Sequence, residues 1–472
     1  MQIPSPWQGG GLDWGPPCSQ LPLLLKPTNH DRSPTPQKDQ VAPMKVLIVG
    51  SGGREHALAW RINQSPNLTR LWVAAGNAGT ASLAENLNIR SSDVDGLVAA
   101  AKETGADLVV VGPEAPLAQG LADRLDKLGI PVFGPSQAAA QIEASKRFAL
   151  DLMKEAGVPC PDFASVPDEA NAHAYIKDHP GPLVVKADGL AAGKGVLLCE
   201  DSEQARAAVK LCMSDRAFGE AGDIVVLEEY LSGPEISVFA FCDGERMSPL
   251  VAACDYKRLE DGNLGPNTGG MGSFAQPDFW TPELAAQVEQ TIMKPVLRAM
   301  AERGSPYKGV LYAGLMLTES GPKVLEFNCR LGDPETQVVM PLLASDPLEL
   351  MLACAEGTLD KVQVRWETKN YVGIVMVSGG YPGKYETGFE ISGLDEDGPE
   401  DTMVFHAGTE LGASGKPLTS GGRVLTVVGG GGNIESARER AYARLEQISF
   451  EGAKWRRDIS SAANQGAAQA AG

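Results

Sequence analysis

Residues Leu183–Cys199, LVVKADGLAAGKGVLLC, put Lys186 in a β-rich run, then Gly189, Gly193, Lys194 and Gly195 in a loop, then a second β-rich run. Small residues let backbone N–H groups approach an anion closely, and a lysine at the tip adds charge. The string invites a Walker A reading and fails it twice. Its spacing is G-x-x-x-G-K-G with no hydroxyl placed for a metal, and its flanks predict strand–loop–strand rather than strand–loop–helix. The pattern therefore predicts a hairpin lid over phosphates, with Lys186 on the strand beneath; an ordinary glycine-turn hairpin is the alternative.

VLEFNCRLGDPETQ, Val324–Gln337, is the second strong signal. On a strand, Glu326 and Asn328 share one face. Two oxygen donors there suit Mg²⁺, which keeps several waters and leans on substrate phosphates. Arg330 shares that face and suits bidentate clamping of a carboxylate or phosphate. Burying these three is costly unless they are paired or bound to something, so a structural ion pair is the competing explanation.

Weaker signals accompany these. GSGGREHA, Gly50–Ala57, follows a strand and opens a helix, so Gly52 and Gly53 can meet an anion at the helix N-terminus. The next strand ends LWVAAGNAG without the carboxylate that a nicotinamide ribose requires, which favours a phosphorylated small molecule over a dinucleotide. Glu114, in VVVGPEAP, lies at a strand end, either to hold sugar hydroxyls or to cap a helix. Glu228 and Glu229 end a strand before Tyr230, Leu231 and Glu235, which suits an adenine hinge and a ribose contact; a solvated edge is the plain alternative. The stretch Asp255–Gly272 is read as a long irregular loop that wraps a small polar substrate or is simply mobile.

The elements that must position these residues are legible as patterns. From Met44, short apolar runs alternate with amphipathic segments, predicting a parallel sheet with crossover helices. One helix is expected over Pro116–Gly129, another over Ser145–Gly157, and a long one capped by Thr281 with a kink at Pro295. The expected modules are a Rossmann-like 44–145, a central 146–370 with a lid at about 160–235, and a small 371–459. Residues 1–43 and 460–472 are read as disordered extensions.

Composition bounds the rest. The chain has 472 residues, a net charge of −19 and no basic run, which argues against a nucleic-acid partner. Its eight cysteines form no C-x-x-C pair, which points to a reducing compartment and away from a zinc site. No apolar run is long enough to span a membrane.

KADGLAAGKGV, GPNTGGMG and EFNCRLGDPETQ occur in this order after GSGGREHA and GPEAPL. In these motifs the chain resembles the phosphoribosylamine–glycine ligases of the ATP-grasp superfamily, from Met44 to about Ile459. The resemblance implies an α/β and α+β multidomain protein: a Rossmann-like N-terminal domain, an ATP-grasp centre and a small C-terminal domain. It implies ATP-dependent ligation of glycine to 5-phosphoribosylamine through glycyl phosphate in purine biosynthesis, with Mg²⁺ (or Mn²⁺), in a cytoplasmic monomer whose partners are small molecules. By the same resemblance Lys146, Lys186, Gly189 and Gly193–Gly195 hold phosphates, Glu228–Leu231 the adenine and Glu235 the ribose. Glu326 and Asn328 hold the metal. Arg330, Asp255, Lys257 and Asn267, Thr268, Gly269 and Gly270 surround glycine, with Lys194, Arg330 and Asp255 catalytic. Gly52, Gly53 and Glu114 receive phosphoribosylamine.

Overall fold

The computed structural model describes residues 42–190 and 195–461. Gly193 and Lys194, most of the expected N-terminal extension and the chain beyond Ser461 lie outside the described residues.

The chain opens with parallel strands in the spatial order Glu85–Leu87, Leu68–Ala75, Met44–Gly50, Leu108–Val111, Val132–Phe133. Val46–Val49 and Leu108–Val110 are fully buried, as a parallel sheet covered on both faces requires. Strand order reverses between Met44–Gly50 and Leu108–Val111, so their carboxyl ends open a crevice at a topological switch point. The helix expected over Pro116–Gly129 is two helices, Glu114–Ala118 and Leu121–Asp126. Gly120 divides them with a φ of 82°, a left-handed conformation that glycine adopts without strain.

A second sheet is antiparallel, in the order Phe163–Val166, Val225–Glu229, Leu183–Ala187, Val196–Cys199. The two strands expected on either side of the loop are therefore present and paired antiparallel. Alternation splits its faces: Leu183, Val185, Ala187, Val225 and Leu227 pack under the helices Glu169–Asp178 and Ser202–Met213 in a core of their own. Lys186 and Glu228 face the opposite way, toward the body of the molecule.

That body is an antiparallel sheet in the order Gly321–Asn328, Lys308–Thr318, Glu235–Asp243, Val251–Asp255, Gly272–Ala275, Asn370–Val377, Arg423–Gly431, Thr402–His406. It runs unbroken from the central into the C-terminal segment, with Gly272 opposite Ile374 and Phe274 opposite Val372. A side chain at Gly272 would begin 2.7 Å from the Gly373 carbonyl oxygen, so glycine permits the join. Thr281 caps the helix Pro282–Val288 as expected. At Pro295 there is no sharp break: a π-turn over Glu289–Met293 leads into Lys294–Glu302 and accommodates the missing N–H.

The stretch Asp255–Gly272 is not irregular. It contains a hairpin, Arg258–Glu260 paired with Leu264–Asn267, too short and polar to announce itself by period. At the other end, Ser460 is 2 % exposed and donates its N–H to the Tyr256 hydroxyl, so order extends past the expected boundary at Ile459. The seven cysteines among the described residues are free thiols. No helix among the described residues is long and apolar enough to cross a membrane.

Candidate active site

Two cavities, of about 190 and about 250 Å³, lie between the four-stranded sheet and the body and share Lys186, Val196, Glu228, Leu325 and Glu326 as a common wall. A bulge builds that wall. Gly314 pairs with Glu326 and Leu315 with Val324, leaving Leu325 without an opposite residue. The Leu325 carbonyl accepts from Lys186 Nζ at 2.9 Å, and Lys186 also pairs with Glu228 at 2.7 Å. Both charged side chains are under a tenth exposed; the ion pair lies within the smaller sheet, and the Lys186 bond to the Leu325 carbonyl fastens that sheet to the larger one. Past the bulge, Glu326 and Asn328 end the strand and line the smaller cavity together with Leu325 and Phe327, and Arg330 joins them from the bend that follows.

Charge is balanced closely in this cavity. Burial would raise the Glu326 carboxyl, but Lys257, Lys186, Lys146 and Arg330 outweigh it and hold the group below its ordinary range. Lys146 donates to the Gly189 carbonyl at 3.0 Å, and burial, aided by Lys186, pulls its ammonium down. Arg330 is gripped by Glu114 at 3.4 Å and Glu143 at 3.0 Å. Burial opposes its charge, but these two carboxylates overcome that and keep it a cation. Glu114 is the first residue of its short helix, makes no side-chain cap there, and turns its carboxylate to Arg330. Glu143 is absent from the sequence candidates because QIEASK reads as an ordinary helix; its second oxygen accepts from the Cys329 N–H at 2.6 Å.

The larger cavity is lined by Glu228–Leu231 and Glu235, the expected hinge, together with Asp255, Lys257, Asn267 and Thr268. Lys257 bridges Glu235 at 2.5 Å and Asp255 at 3.5 Å. Glu229 turns to Lys323 at 3.0 Å. Ser237 and Tyr312 form the cavity's inner wall, and behind them both hydroxyls reach the buried Glu335, at 3.3 and 3.1 Å. Burial and nearby Asp255 push the Glu335 carboxyl up to about 7. Gly269 and Gly270 line neither cavity. The Gly269 N–H donates to the Tyr381 hydroxyl at 2.9 Å and its carbonyl accepts from Arg423, while a side chain on Gly270 would meet Pro334 at 2.4 Å.

At the switch point the Gly52 N–H donates to Glu55 Oε2 at 2.6 Å. Glu55 fills the crevice so closely that a side chain at Gly112 would begin 1.9 Å from it. Arg54 donates to the Leu331 carbonyl at 3.1 Å, and Gly53 abuts Gln337. The fold thus brings GSGGREHA against RLGDPETQ, a contact spanning almost three hundred residues that spacing alone does not reveal.

Similarity to known proteins follows the same layout. Family models match in three consecutive parts: phosphoribosylglycinamide synthetase N domain over residues 44–143, its ATP-grasp (A) domain over 144–336 and its C domain over 371–462. The phosphoribosylamine–glycine ligase of Vibrio vulnificus is 48% identical over 419 residues, covering 88% of this chain and 97% of that protein. That of Caldanaerobacter subterraneus is 46% identical, covering 88% and 99%. The crystal structure of the Thermotoga maritima enzyme of the same name superposes with a TM-score of 0.75 at 34% identity, covering 88% of this chain and all of that one. The biotin carboxylase domain of the Hydrogenobacter thermophilus 2-oxoglutarate carboxylase, in complex with MgADP and bicarbonate, shares the fold, with a TM-score of 0.68 at 18% identity over 88% and 92% of the two chains. With its three domains matched in order and its relatives covered nearly end to end, the chain belongs to the phosphoribosylamine–glycine ligase family.

Proposed function

We propose that this cleft joins glycine to 5-phosphoribosylamine, with ATP giving ADP and phosphate and glycyl phosphate as the intermediate. One observation carries the reading: Glu326 and Asn328 at the end of one strand, with Arg330 just beyond it, connect the nucleotide cavity to Glu114 at the switch point.

Adenine sits against Glu228–Leu231 and the ribose at Glu235. Lys146, Lys186, Gly189 and Gly195 hold phosphates, joined by Gly193 and Lys194, which lie outside the described residues. No group of three or more His, Cys, Asp or Glu forms a cation cage among the described residues. Glu326 and Asn328 still fit Mg²⁺, with Mn²⁺ a second candidate, because such an ion takes few protein oxygens and completes its shell with phosphate and water. When bound, it supplies charge neutralisation at the transferring phosphoryl group.

The glycine carboxylate, held by Arg330 and the Asp255–Lys257 and Asn267–Thr268 segments, attacks the γ-phosphorus, and the bond to the ADP oxygen breaks. The phosphoribosylamine nitrogen, delivered from Gly52, Gly53 and Glu114, then attacks the acyl carbon; phosphate leaves and the nitrogen loses a proton. Its phosphate takes the Gly52 amide that Glu55 holds here. Gly269 and Gly270 act by shaping the loop. Phosphoryl transfer needs positioning and charge rather than an enzyme nucleophile, which suits a site of lysines, an arginine and carboxylates. ADP release, assayed with each substrate omitted in turn, should require glycine and the phosphosugar amine together. Sustained release with bicarbonate in place of glycine would refute the assignment.

A further inference from the structure

Arg456 is 1 % exposed, the largest fully buried side chain among the described residues, and it lines neither cavity. Its guanidinium spans Asp458 with two bonds of 2.7 Å, and its remaining nitrogen donates to the Arg258 carbonyl at 3.0 Å and Asn263 Oδ1 at 3.2 Å. It also lies over the Tyr256 ring, 4.9 Å from the centroid. The neighbouring backbone continues the pattern. Asp458 accepts from the Gly262 N–H at 2.8 Å, Arg457 N–H reaches Asp261 at 2.7 Å, and Ser460 N–H reaches the Tyr256 hydroxyl at 2.9 Å.

All of these partners belong to one place. Tyr256 stands between Asp255 and Lys257 in the short link between two strands, and all three line the larger cavity, so fixing the Tyr256 ring fixes where its two neighbours stand. Arg258 and Asn263 are on the hairpin and line the larger cavity. A hairpin of two three- or four-residue strands has little stability of its own. A buried ion pair is a poor source of stability, whereas its directional hydrogen bonds can specify a geometry.

We propose that residues Arg456–Ser460 form a strap that positions the amino-acid pocket, with Arg456 as the positioning residue. The inference rests on the reading of Asp255 and Lys257 as glycine contacts. The strap thereby makes the C-terminal segment part of the substrate site without touching substrate.

Steady-state kinetics of the full chain with Arg456→Lys, Asp261→Ala and Asp255→Asn test it. Lysine keeps the charge but cannot span Asp458 and the hairpin together. Arg456→Lys should raise the glycine KM about tenfold or more, the scale on which misplaced binding groups act, while the ATP KM changes less than about twofold. Asp261→Ala, at an exposed position that cannot prevent folding, should raise the glycine KM about threefold, as for one hydrogen bond. A merely structural role would lower the active fraction and leave the glycine KM unchanged, and that result overturns the strap. Parallel rises in glycine and ATP KM overturn it as well. If Asp255→Asn leaves the glycine KM unchanged while Arg456→Lys raises it, the strap stands and the pocket assignment falls. If Arg456→Lys does not fold, Asp261→Ala alone decides.

Discussion

The two sheets that enclose the cleft are built on opposite plans. The four-stranded sheet has its own core with two helices; it meets the body through Val226 and Phe163, which pack on the main core, and through polar contacts that include Lys186 to the Leu325 carbonyl, Glu229 to Lys323, Lys146 to Gly189, and Ser145 to Asp188. The C-terminal segment instead adds strands to the central sheet and shares its core, with Val372, Ile374 and Val427 packing with Val238, Leu311 and Val324. A unit with its own core can rotate while breaking only the contacts at its rim; one sharing a ladder cannot move without losing sheet hydrogen bonds. On the function proposed above, this assigns nucleotide entry and water exclusion to the small sheet, and the fixed geometry of the amino-acid pocket to the large one. Exclusion matters because glycyl phosphate would otherwise hydrolyse.

The strongest way to break this division is on the fixed sheet. Glu326→Gln should lower kcat about 100- to 1,000-fold, as for loss of a charge that organises phosphoryl transfer, with the circular dichroism spectrum unchanged; near-normal turnover at ordinary Mg²⁺ would remove Glu326 from the metal site. On the small sheet, Lys186→Met leaves Glu228 buried and unpaired, which should cost about 3–5 kcal/mol in denaturant unfolding and abolish tight ATP binding. An unchanged midpoint would show that solvent reaches Glu228.

A matched pair of core truncations sharpens the contrast. Leu227→Ala and Leu425→Ala each remove a fully buried side chain, at about 2–5 kcal/mol apiece. The first should expose residues 160–235 to limited proteolysis and raise the ATP KM, leaving the main calorimetric transition in place. The second should move that main transition. If both shift one common transition equally, the small sheet is not an independent unit.

The smallest expected effect is a pH dependence. Glu335 ordinarily titrates near 4.5, and burial pushes it up to about 7 in the folded chain. Between these values the folded state holds a proton that the unfolded state has released, so stability falls as pH rises from about 4.5 through 7. Glu335→Gln should flatten that decline relative to wild type, read as unfolding midpoints across the window. An identical slope in both proteins would show that Glu335 is not its source.

What could be read from residue order was everything with a short-range cause. The parallel strands, the Thr281 cap, the Gly157 stop and the lid hairpin each follow from patterns within about fifteen residues, because backbone propensity and side-chain alternation are local. So was the shared face of Glu326 and Asn328, which strand geometry fixes; Arg330 reaches the same cavity from the bend beyond the strand. Tertiary structure decided the rest. The strand and helix over Phe163–Asp178 gain their order from the lid core, Gly120 splits a helix that amphipathic spacing had continued, and Pro295 meets a π-turn rather than a break.

Within the site, family motifs had already named most of the residues, but not their partners. Glu143 on Arg330, Glu55 on Gly52, Glu335 behind Tyr312 and Arg456 beneath the hairpin come from distant segments whose own sequences look ordinary. Residue order by itself therefore determined which chemical groups are available and which strand face carries them. Only the folded chain decided which charges neutralise one another, because a buried charge must find a partner in space, and neither distance nor burial is written in neighbouring residues.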